Sequence, residues 1–227
     1  MFRVSFESIP GPYHTQNAIP NQDFATFLSD ESMLVAAVAD GAGSLSRSHL
    51  GSEIVARTAV NTMWELRSEL PLSELVEKGM NAARSAILSE EDFEEMGSTL
   101  TVAVLDLSGG WAVGSVGDSF AILHKKDSHS LVTAGGFGEY ANITQLITSN
   151  DLEPVYESGS DAVAISLSSD GLESVGLIGG FAHEGFWNTI RDSAISGSLD
   201  ISKLFRWLQS MDKIVDDTTL LTAVRPQ

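Results

Sequence analysis

The sequence contains no cysteine, and this absence limits both its environment and its chemistry. A chain without cysteine offers no disulfide pattern that would indicate export, so we expect a cytoplasmic protein. It also has no thiolate that could serve as a covalent nucleophile or as a soft metal ligand. Any metal site in this chain must therefore be built from harder ligands.

Long apolar runs are missing as well. No segment reaches the roughly 18 continuous apolar residues that cross a bilayer. The first residues, Met1–Glu7, alternate like a strand and lack the apolar stretch and cleavage site of a secretory signal. We therefore expect no membrane partner. With 227 residues, of which 43% are apolar, the chain is long enough to bury a sizeable core, and we predict one domain over residues 1–227.

Positive charge is scarce. The chain has 13 Lys and Arg against 31 Asp and Glu, which gives a formal net charge of −18. Because affinity for a polyphosphate depends on cationic neutralisation, this balance argues against nucleic acid as a partner. A small phosphate group is not excluded, since bound metal ions can supply the positive charge locally.

Aspartate, in contrast, recurs at the ends of apolar, strand-like segments. If these ends converge in the fold, like-charged carboxylates within a few ångströms cannot all stay ionised without cations between them. Carboxylate oxygens suit Mg²⁺ or Mn²⁺ better than Zn²⁺. The aspartates in question are Asp40, Asp118 and Asp170, each beside a glycine, together with Asp23 and the pair Asp216 and Asp217.

Apolar periodicity predicts strands, then two helices, then strands, helices and a last strand. Short turns favour antiparallel pairing, so this order indicates an α+β sandwich and not a doubly wound parallel sheet. The region Gly135–Ser160 is interpreted as an irregular surface excursion. The predicted strands are Arg3–Glu7, Phe24–Leu28, Leu34–Ala39, Thr99–Leu105, Trp111–Val116, Phe120–His124, Ala162–Leu167 and Thr219–Val224, and the predicted helices cover Val55–Leu66, Leu72–Ile87, Phe181–Ala194 and Ile201–Met211.

Aromatic residues cluster in the predicted helical segments. At such positions they are more often core residues than the walls of a ligand site, and we expect them in the core. They are Trp64, Trp187, Trp207, Phe181, Phe186 and Phe205.

Five short motifs occur in order along the chain. Asp-Gly alone is an ordinary turn dipeptide, so each motif by itself is weak. The five are Asn21-Gln22-Asp23, Val38-Ala39-Asp40-Gly41-Ala42-Gly43, Gly114-Ser115-Val116-Gly117-Asp118-Ser119, Ser168-Ser169-Asp170-Gly171-Leu172 and Asp216-Asp217-Thr218-Thr219. In this order and spacing they resemble the metal-dependent protein phosphatase 2C family.

Further segments make the chain similar to a compact bacterial branch of that family. They are Gly11–His14 ahead of Pro20–Asp23, Asp40–Ser44 followed by Ser48 and Gly51, and Gly138–Thr144. The resemblance covers nearly the whole chain.

The resemblance implies a four-layer αββα sandwich, in which helices flank two antiparallel sheets, and a binuclear Mg²⁺ or Mn²⁺ centre at one end of it. The ligands that it implies are Asp40 bridging both ions, Asp23 and the Gly41 carbonyl on one side, Asp170 and Asp216 on the other, and Asp118 with Asp170 for a looser third ion. Asp217 lies beside Asp216. If the two lie on a strand, their side chains point to opposite faces, so we expect one direct ligand and favour Asp216, with the choice open.

The activity that the resemblance implies is hydrolysis of phosphoserine and phosphothreonine in proteins. A water that bridges two divalent ions loses its proton near neutral pH and attacks phosphorus in line, with Asp40 and Asp23 in the catalytic centre. The expected partners are a phosphorylated protein and, in bacterial signalling, the Ser/Thr kinase that the phosphatase opposes.

Two positions depart from the family pattern. Many relatives place an arginine five residues before the first aspartate to grip the phosphate, and here that residue is Ala18. Some place a histidine after the Asp-Gly pair as an acid for the leaving oxygen, and here it is Ala42. His14 is our first candidate for these roles, followed by Arg47 and His49. A single histidine is weak evidence, because it also serves to bind loop carbonyls.

Two alternatives remain at this stage. The departures at Ala18 and Ala42 are compatible with a phosphatase-like regulatory or binding module that turns over little substrate. The same metal chemistry would also suit hydrolysis of a small phosphoester.

Overall fold

The structure, a computed structural model, describes residues 1–133 and 144–226. Two five-stranded antiparallel sheets form its centre. The first sheet has the order β1-β12-β9-β6-β7, and the second has the order β2-β3-β4-β5-β8. The strands are β1 (Arg3–Ile9), β2 (Asp23–Ser29), β3 (Met33–Asp40), β4 (Leu100–Asp106), β5 (Trp111–Val116), β6 (Phe120–His124), β7 (His129–Thr133), β8 (Val155–Gly159), β9 (Ala164–Ser168) and β12 (Thr218–Val224).

Helices cover the outer faces of both sheets. α2 and α3 pack on the second sheet, while α5 and α6 pack on the first. A small hairpin of β10 (Leu177–Ile178) and β11 (Phe181–Ala182) precedes α5. The helices are α1 (Pro12–Asn17), α2 (Ser48–Leu66), α3 (Leu72–Leu88), α4 (Glu173–Gly176), α5 (Glu184–Ser196) and α6 (Ile201–Ser210). None of the described helices is both long and apolar enough to cross a membrane.

The side-chain alternation of β3 shows why its sequence is apolar without interruption. Val35 and Ala37 belong to the core between the second sheet and α2 and α3. Leu34, Ala36 and Val38 face the other way, into the core between the two sheets. Because both faces of the strand are buried, both sets must be apolar. This arrangement confirms the predicted four-layer αββα sandwich.

Two edge strands, β7 and β8, were not predicted from the sequence. Residues 135–143 of the expected excursion Gly135–Ser160 lie outside the described residues, but Val155–Gly159 forms β8 and pairs with β5. The expectation of irregular structure is therefore wrong for this part. His129–Thr133 likewise forms β7 beside β6. Both strands lie at a sheet edge and carry polar residues, half-buried in β7 and exposed in β8, so they lack the apolar alternation that marks a strand in sequence.

The third predicted helix begins later than expected, and two aromatic residues lie outside the core. Phe181 belongs to β11 and is 76% exposed, and the helix starts at Glu184. Trp207 on α6 is 57% exposed. Trp187 and Phe205 are fully buried, as predicted. The placement of Phe181 and Trp207 in the core was therefore wrong, since amphipathic periodicity does not reveal which aromatic residue takes the outer face.

Candidate metal centre at one end of the sandwich

The predicted aspartates meet at one end of the two sheets. Asp23 begins β2 and Asp40 ends β3, and the two residues are directly opposite in the β2–β3 register. Asp118 precedes β6, Asp170 follows β9 and Asp216 precedes β12, which brings all three to the same end of the first sheet. One oxygen from each of Asp40, Asp118 and Asp170 lies within 4.8 Å of the others. The antiparallel topology thus converts distant sequence positions into one carboxylate cluster.

Asp23 is the most deeply buried of these carboxylates. Its Oδ2 accepts a hydrogen bond of 2.6 Å from the hydroxyl of Ser169. Its Oδ1 is buried and has no hydrogen-bond partner among the described residues. Burial raises the pKa of Asp23 to about 7, and the charges of Asp217 and Asp170 add to the rise, whereas hydrogen bonds from Ser169 and Thr219 oppose it. A buried acceptor without a partner is costly, so Oδ1 is available to a cation or to the hydrogen of a water.

Burial and neighbouring negative charges also raise the pKa values of Asp40 and Asp170. Burial raises the pKa of Asp40 well above its ordinary value, with further repulsion from Asp23, Asp170 and Asp118. Burial also raises the pKa of Asp170 to about 6, with repulsion from Asp118. Divalent cations would relieve this repulsion and hold the groups ionised. The cluster therefore behaves as a set of ligands that is incomplete without positive charge.

Glycine is required next to two of these aspartates by close backbone contacts. A Cβ on Gly41 would lie 2.9 Å from the carbonyl oxygen of Gln22 and from Ser48. A Cβ on Gly171 would lie 2.3 Å from the carbonyl oxygen of Asp217. Neither glycine has a positive φ. The absence of a side chain therefore serves close packing around the cluster rather than a left-handed turn.

Asp216 and Asp217 have different surroundings. Asp217 is buried, and its two oxygens accept hydrogen bonds from the backbone N–H groups of Gly11 and Gln22, each at 2.6 Å. Nδ1 of His14 donates to the same carboxylate at 2.8 Å. The carboxylate of Asp216 accepts only the backbone N–H of Asp217 among the described groups and is exposed. Both residues precede β12 instead of lying on it, so their divergence comes from these contacts and not from strand alternation.

The cluster opens into a cavity of about 240 Å³, which we call the acidic cavity. Asp23 lies outside its lining. No Lys or Arg lines it among the residues that the structure describes. The lining includes Asp40, Asp118, Asp170, Asp216 and Asp217, together with Gln22, Gly41, Ala42, Thr99 and Thr144.

Of the three candidates for phosphate capture or proton transfer, only His14 lies at the cluster. One ring nitrogen of His14 and one oxygen each of Asp216 and Asp217 lie within 4.8 Å of one another. The guanidinium of Arg47 is 2.6 Å from Asp92 and thus engaged elsewhere. The His49 side chain makes no hydrogen bond with any described residue.

Several polar residues at the site were missed by sequence reasoning. Gln22 has a buried Oε1 without a partner in the described chain, and it lines the acidic cavity. Thr144 donates a hydrogen bond of 2.6 Å to Asp118. Thr99 accepts the backbone N–H of Asp40 at 3.0 Å. Gln22 lies inside a recognised motif, but nothing in the sequence pairs Thr144 or Thr99 with an aspartate.

The donor set fits hard divalent cations. It consists of carboxylate, carbonyl and amide oxygens, and one buried carboxylate oxygen has no donor among the described residues. Oxygen ligands of this kind are those that Mg²⁺ and Mn²⁺ prefer.

Comparison with known proteins gives a family and a fold. The chain matches the family model described as "Protein phosphatase 2C" over residues 10–213. Serine/threonine-protein phosphatase 3 of Escherichia coli (strain K12) is 25% identical over 192 residues, which cover 78% of this chain and 76% of that protein.

Solved structures agree with this result. The serine/threonine phosphatase PstP/Ppp of Mycobacterium tuberculosis superimposes with a TM-score of 0.70 at 18% identity, covering 100% of this chain and 99% of that one. The catalytic domain of PstP, solved in complex with 2 manganese ions, gives a TM-score of 0.67 at 17% identity, covering 98% and 97%. At such identities the similarity establishes the fold.

The sandwich with its carboxylate cluster defines a protein of the phosphatase 2C fold class, and protein phosphatases are hydrolases. Since the family model extends over most of the sequence, the chain belongs to the protein phosphatase 2C family.

Proposed function

We propose that this protein is a serine/threonine phosphoprotein phosphatase that depends on Mg²⁺ or Mn²⁺. The observation that carries the proposal is the convergence of Asp40, Asp118 and Asp170 within 4.8 Å of one another, in a chain of this family. We further propose that residues 1–227 form one catalytic domain. A core that contains side chains of both sheets supports this part of the proposal.

The proposed ligands follow from the contacts of each group. Asp40 would bridge two ions, with the Gly41 carbonyl and Asp23 on one side and Asp170 and Asp216 on the other. Asp118 and Asp170 would hold a third ion. Asp217 is better suited to a structural role than to metal binding, since both of its oxygens already accept hydrogen bonds from the protein. Asp216 has an exposed carboxylate with room for a cation.

When bound, these ions would lower the pKa of a coordinated water and would supply positive charge for the phosphoryl oxygens. The chain's own residues would do the rest. The unpartnered Oδ1 of Asp23 would orient the attacking water, because it is a buried carboxylate oxygen without a donor among the described residues. His14 would give a proton to the leaving serine or threonine oxygen. Its contact with Asp217 fixes the ring orientation.

No Lys or Arg among the described residues lines the acidic cavity, which supports phosphate binding by the ions. We therefore propose that substrate affinity depends on metal more strongly than in relatives with an arginine at the position of Ala18. The substrate would be a cytoplasmic phosphoprotein, opposed by a Ser/Thr kinase.

The direct test is turnover of a phosphoserine peptide and of p-nitrophenyl phosphate with Mn²⁺. Asp40→Asn should abolish hydrolysis of both, because it removes the carboxylate shared by two ions. Asp127→Asn is the matched control, since it removes the same charge from an exposed residue in the turn between β6 and β7. Full activity of Asp40→Asn would defeat the proposal.

A regulatory module with little turnover is the second candidate. The observation that favours it is the absence of Lys and Arg from the acidic cavity's lining in the part of the chain that the structure describes. A panel of phosphopeptides with Mn²⁺ separates the two. Metal-dependent peptide binding without phosphate release would favour the module. Release from small phosphoesters but from no phosphopeptide would instead indicate a hydrolase of small molecules.

A further inference from the structure

A second cavity lies at the opposite end of the first sheet. Its lining includes Val163, which precedes β9, and Arg225, which follows β12. The aspartates of the metal centre occupy the other ends of these two strands, as Asp170 follows β9 and Asp216 precedes β12. With about 3.3 Å per strand residue, the two cavities are separated by on the order of 20 Å. We call this second space the basic cavity; its volume is about 450 Å³.

Positive charge is concentrated there in a chain that has little of it. Lys126, Arg191 and Arg225 line the basic cavity, and they are three of the chain's 13 Lys and Arg. Asp192 is the acidic residue of the lining. It pairs with Arg191 at 2.9 Å, but its side chain is 66% exposed. An exposed pair of this kind is weak, so the cavity keeps net positive charge.

The cationic groups retain unused donors. Arg191 donates through Nε to Asp192 and through Nη1 to the carbonyl of Lys125 at 3.5 Å. Arg225 donates through Nη1 to the carbonyl of Leu107 at 3.0 Å. A guanidinium has five N–H donors, so each arginine keeps several for a ligand. Lys126 makes no hydrogen bond or ion pair with any described residue.

The remaining wall is apolar. Val163, Ile195, Val224 and Pro226 contribute it. The side chain of Arg191 is only 13% exposed, which leaves a guanidinium partly withdrawn from water. Concave sites of a few hundred Å³ with an apolar wall and a few convergent polar groups are typical of small-molecule sites. A partly desolvated guanidinium is suited to paired hydrogen bonds with carboxylate or phosphate.

We propose that the basic cavity binds a small organic anion, which carries a carboxylate or phosphate group next to an apolar part. The anionic group lies between Arg191 and Arg225 with Lys126 at the entrance, and the apolar part lies against Val163 and Val224. This site is separate from the metal centre and does not depend on the function proposed for it.

A nearby pair of histidines offers a spectroscopic readout. Nδ1 of His124 lies 3.0 Å from Nδ1 of His129. Burial lowers the pKa of both rings, and the positive charge of Arg191 lowers the pKa of each further. An anion bound to Arg191 offsets part of that charge, so the resonances of these two histidines should shift on binding.

The test is titration of the full chain with phenylphosphonate, benzoate and inorganic phosphate, followed by calorimetry and by histidine NMR. The titrations are repeated in an Asp40→Asn background, which removes anion binding at the metal centre. We expect saturable binding of at least one of the two organic anions, tighter than that of inorganic phosphate and unchanged by Asp40→Asn. The ratio of the phenylphosphonate and benzoate affinities then shows whether the natural ligand carries a phosphate or a carboxylate group.

Arg191→Gln and Arg225→Gln should each weaken binding about tenfold, since each removes charge-assisted hydrogen bonds. Lys126→Gln should weaken it about threefold, and this exposed residue can be replaced without loss of the fold. Lys78→Gln, an equal charge change on the exposed face of α3, is the matched control and should have no effect. The proposal is overturned if neither organic anion binds the wild-type chain at about 10 mM, if Lys78→Gln weakens binding as much as Lys126→Gln, or if Asp40→Asn alone removes it.

Discussion

Asp216 and Asp217 are adjacent in sequence, but their carboxylates have different roles in the structure. Asp217 is enclosed and joins three parts of the chain through the N–H groups of Gly11 and Gln22 and the ring of His14. Asp216 faces the acidic cavity with most of its hydrogen-bonding capacity unused. One position therefore stabilises the fold around the centre, and its neighbour is available to a cation.

This contrast predicts opposite outcomes for two isosteric substitutions. Asp217→Asn should lower the free energy of unfolding by about 3 kcal/mol, because the new amide NH₂ faces backbone donors that need an acceptor. Asp216→Asn should leave the metal-free stability nearly unchanged and weaken Mn²⁺ binding. Denaturant unfolding in chelator and calorimetric Mn²⁺ titration measure the two effects. If Asp216→Asn destabilised the fold and Asp217→Asn only weakened Mn²⁺ binding, the roles would have to be exchanged.

His14 gives a test based on the leaving group. His14→Asn removes the imidazole ring but keeps a side-chain N–H for Asp217, so it should preserve the fold. Turnover of a phosphoserine peptide should fall by about 10²-fold or more, because a serine alkoxide leaves poorly without a proton. Turnover of p-nitrophenyl phosphate should change little, since p-nitrophenolate is a good leaving group. Equal losses on both substrates would show that His14 acts in positioning and not as an acid.

At the scale of single residues, the sequence allowed prediction of the carboxylates but not of their partners. Asp40, Asp118 and Asp170 could be found because each follows an apolar run and lies beside a glycine. The hydrogen bond from Ser169 to Asp23 could not, because it joins positions 146 residues apart. Such contacts depend on the packing of the two sheets, which no local pattern encodes.

Among the elements, α2 is held against the loop that precedes β4 by the absence of a side chain. A Cβ on Gly51 would lie 1.8 Å from the carbonyl oxygen of Met96. Gly51→Ala should therefore force the helix away from this loop and destabilise the fold by about 3 kcal/mol. Gly185→Ala on α5 is the matched control, since its Cβ would meet only a ring nitrogen of His183 at 3.7 Å.

The control should unfold with an unchanged free energy, or one raised by up to about 1 kcal/mol, because alanine favours a helix over glycine. Urea unfolding of both variants and of the wild-type chain gives the comparison. Equal stabilities of Gly51→Ala and Gly185→Ala would show that the contact between α2 and the loop is loose.

β6, β7, β9 and β12 are connected through a buried polar chain that predicts a pH dependence. His124 contacts His129 through Nδ1 and Ser166 through Nε2, and Ser166 contacts Thr222. Burial, together with the charges of His129 and Arg191, lowers the pKa of His124 well below its ordinary value of 6.5. The unfolded chain therefore binds this proton first as the pH falls. The stability that the neutral ring contributes is present above about pH 6.5 and is lost below it.

The free energy of unfolding should thus fall between pH 7 and pH 5 more steeply in the wild-type chain than in His124→Asn. The difference in slope should approach roughly 1.4 kcal/mol per pH unit for one group. Denaturant unfolding at a series of pH values in chelator measures it. Identical slopes would mean that the ring is protonated in the fold or accessible to water.

Four of the strands that sequence reasoning recovered are buried, or nearly so, along both faces. These are β3, β5, β6 and β9, and their positions were predicted within two residues. β8 was missed because an edge strand with exposed Tyr156 and Glu157 pairs through its backbone and needs no apolar alternation.

For the molecule as a whole, the fold concentrates negative charge in a chain that already carries −18. The sandwich supplies the stability that allows several carboxylates to stay close together at one end. Without cations, mutual repulsion and burial oppose their ionisation, as the raised pKa values of Asp23 and Asp170 indicate. Metal binding and fold stability should therefore be linked.

The most direct test of this claim is the thermal unfolding midpoint, measured in chelator and then with increasing Mn²⁺ or Mg²⁺. A ligand at about 100 times its Kd adds roughly 2.7 kcal/mol, which corresponds to a rise of about 5–10 °C for a chain of this size. We predict this rise for the wild-type protein. Asp40→Asn should unfold in chelator at a temperature equal to or above that of the wild type and should not respond to metal. A wild-type midpoint that Mn²⁺ and Mg²⁺ leave unchanged would contradict the account.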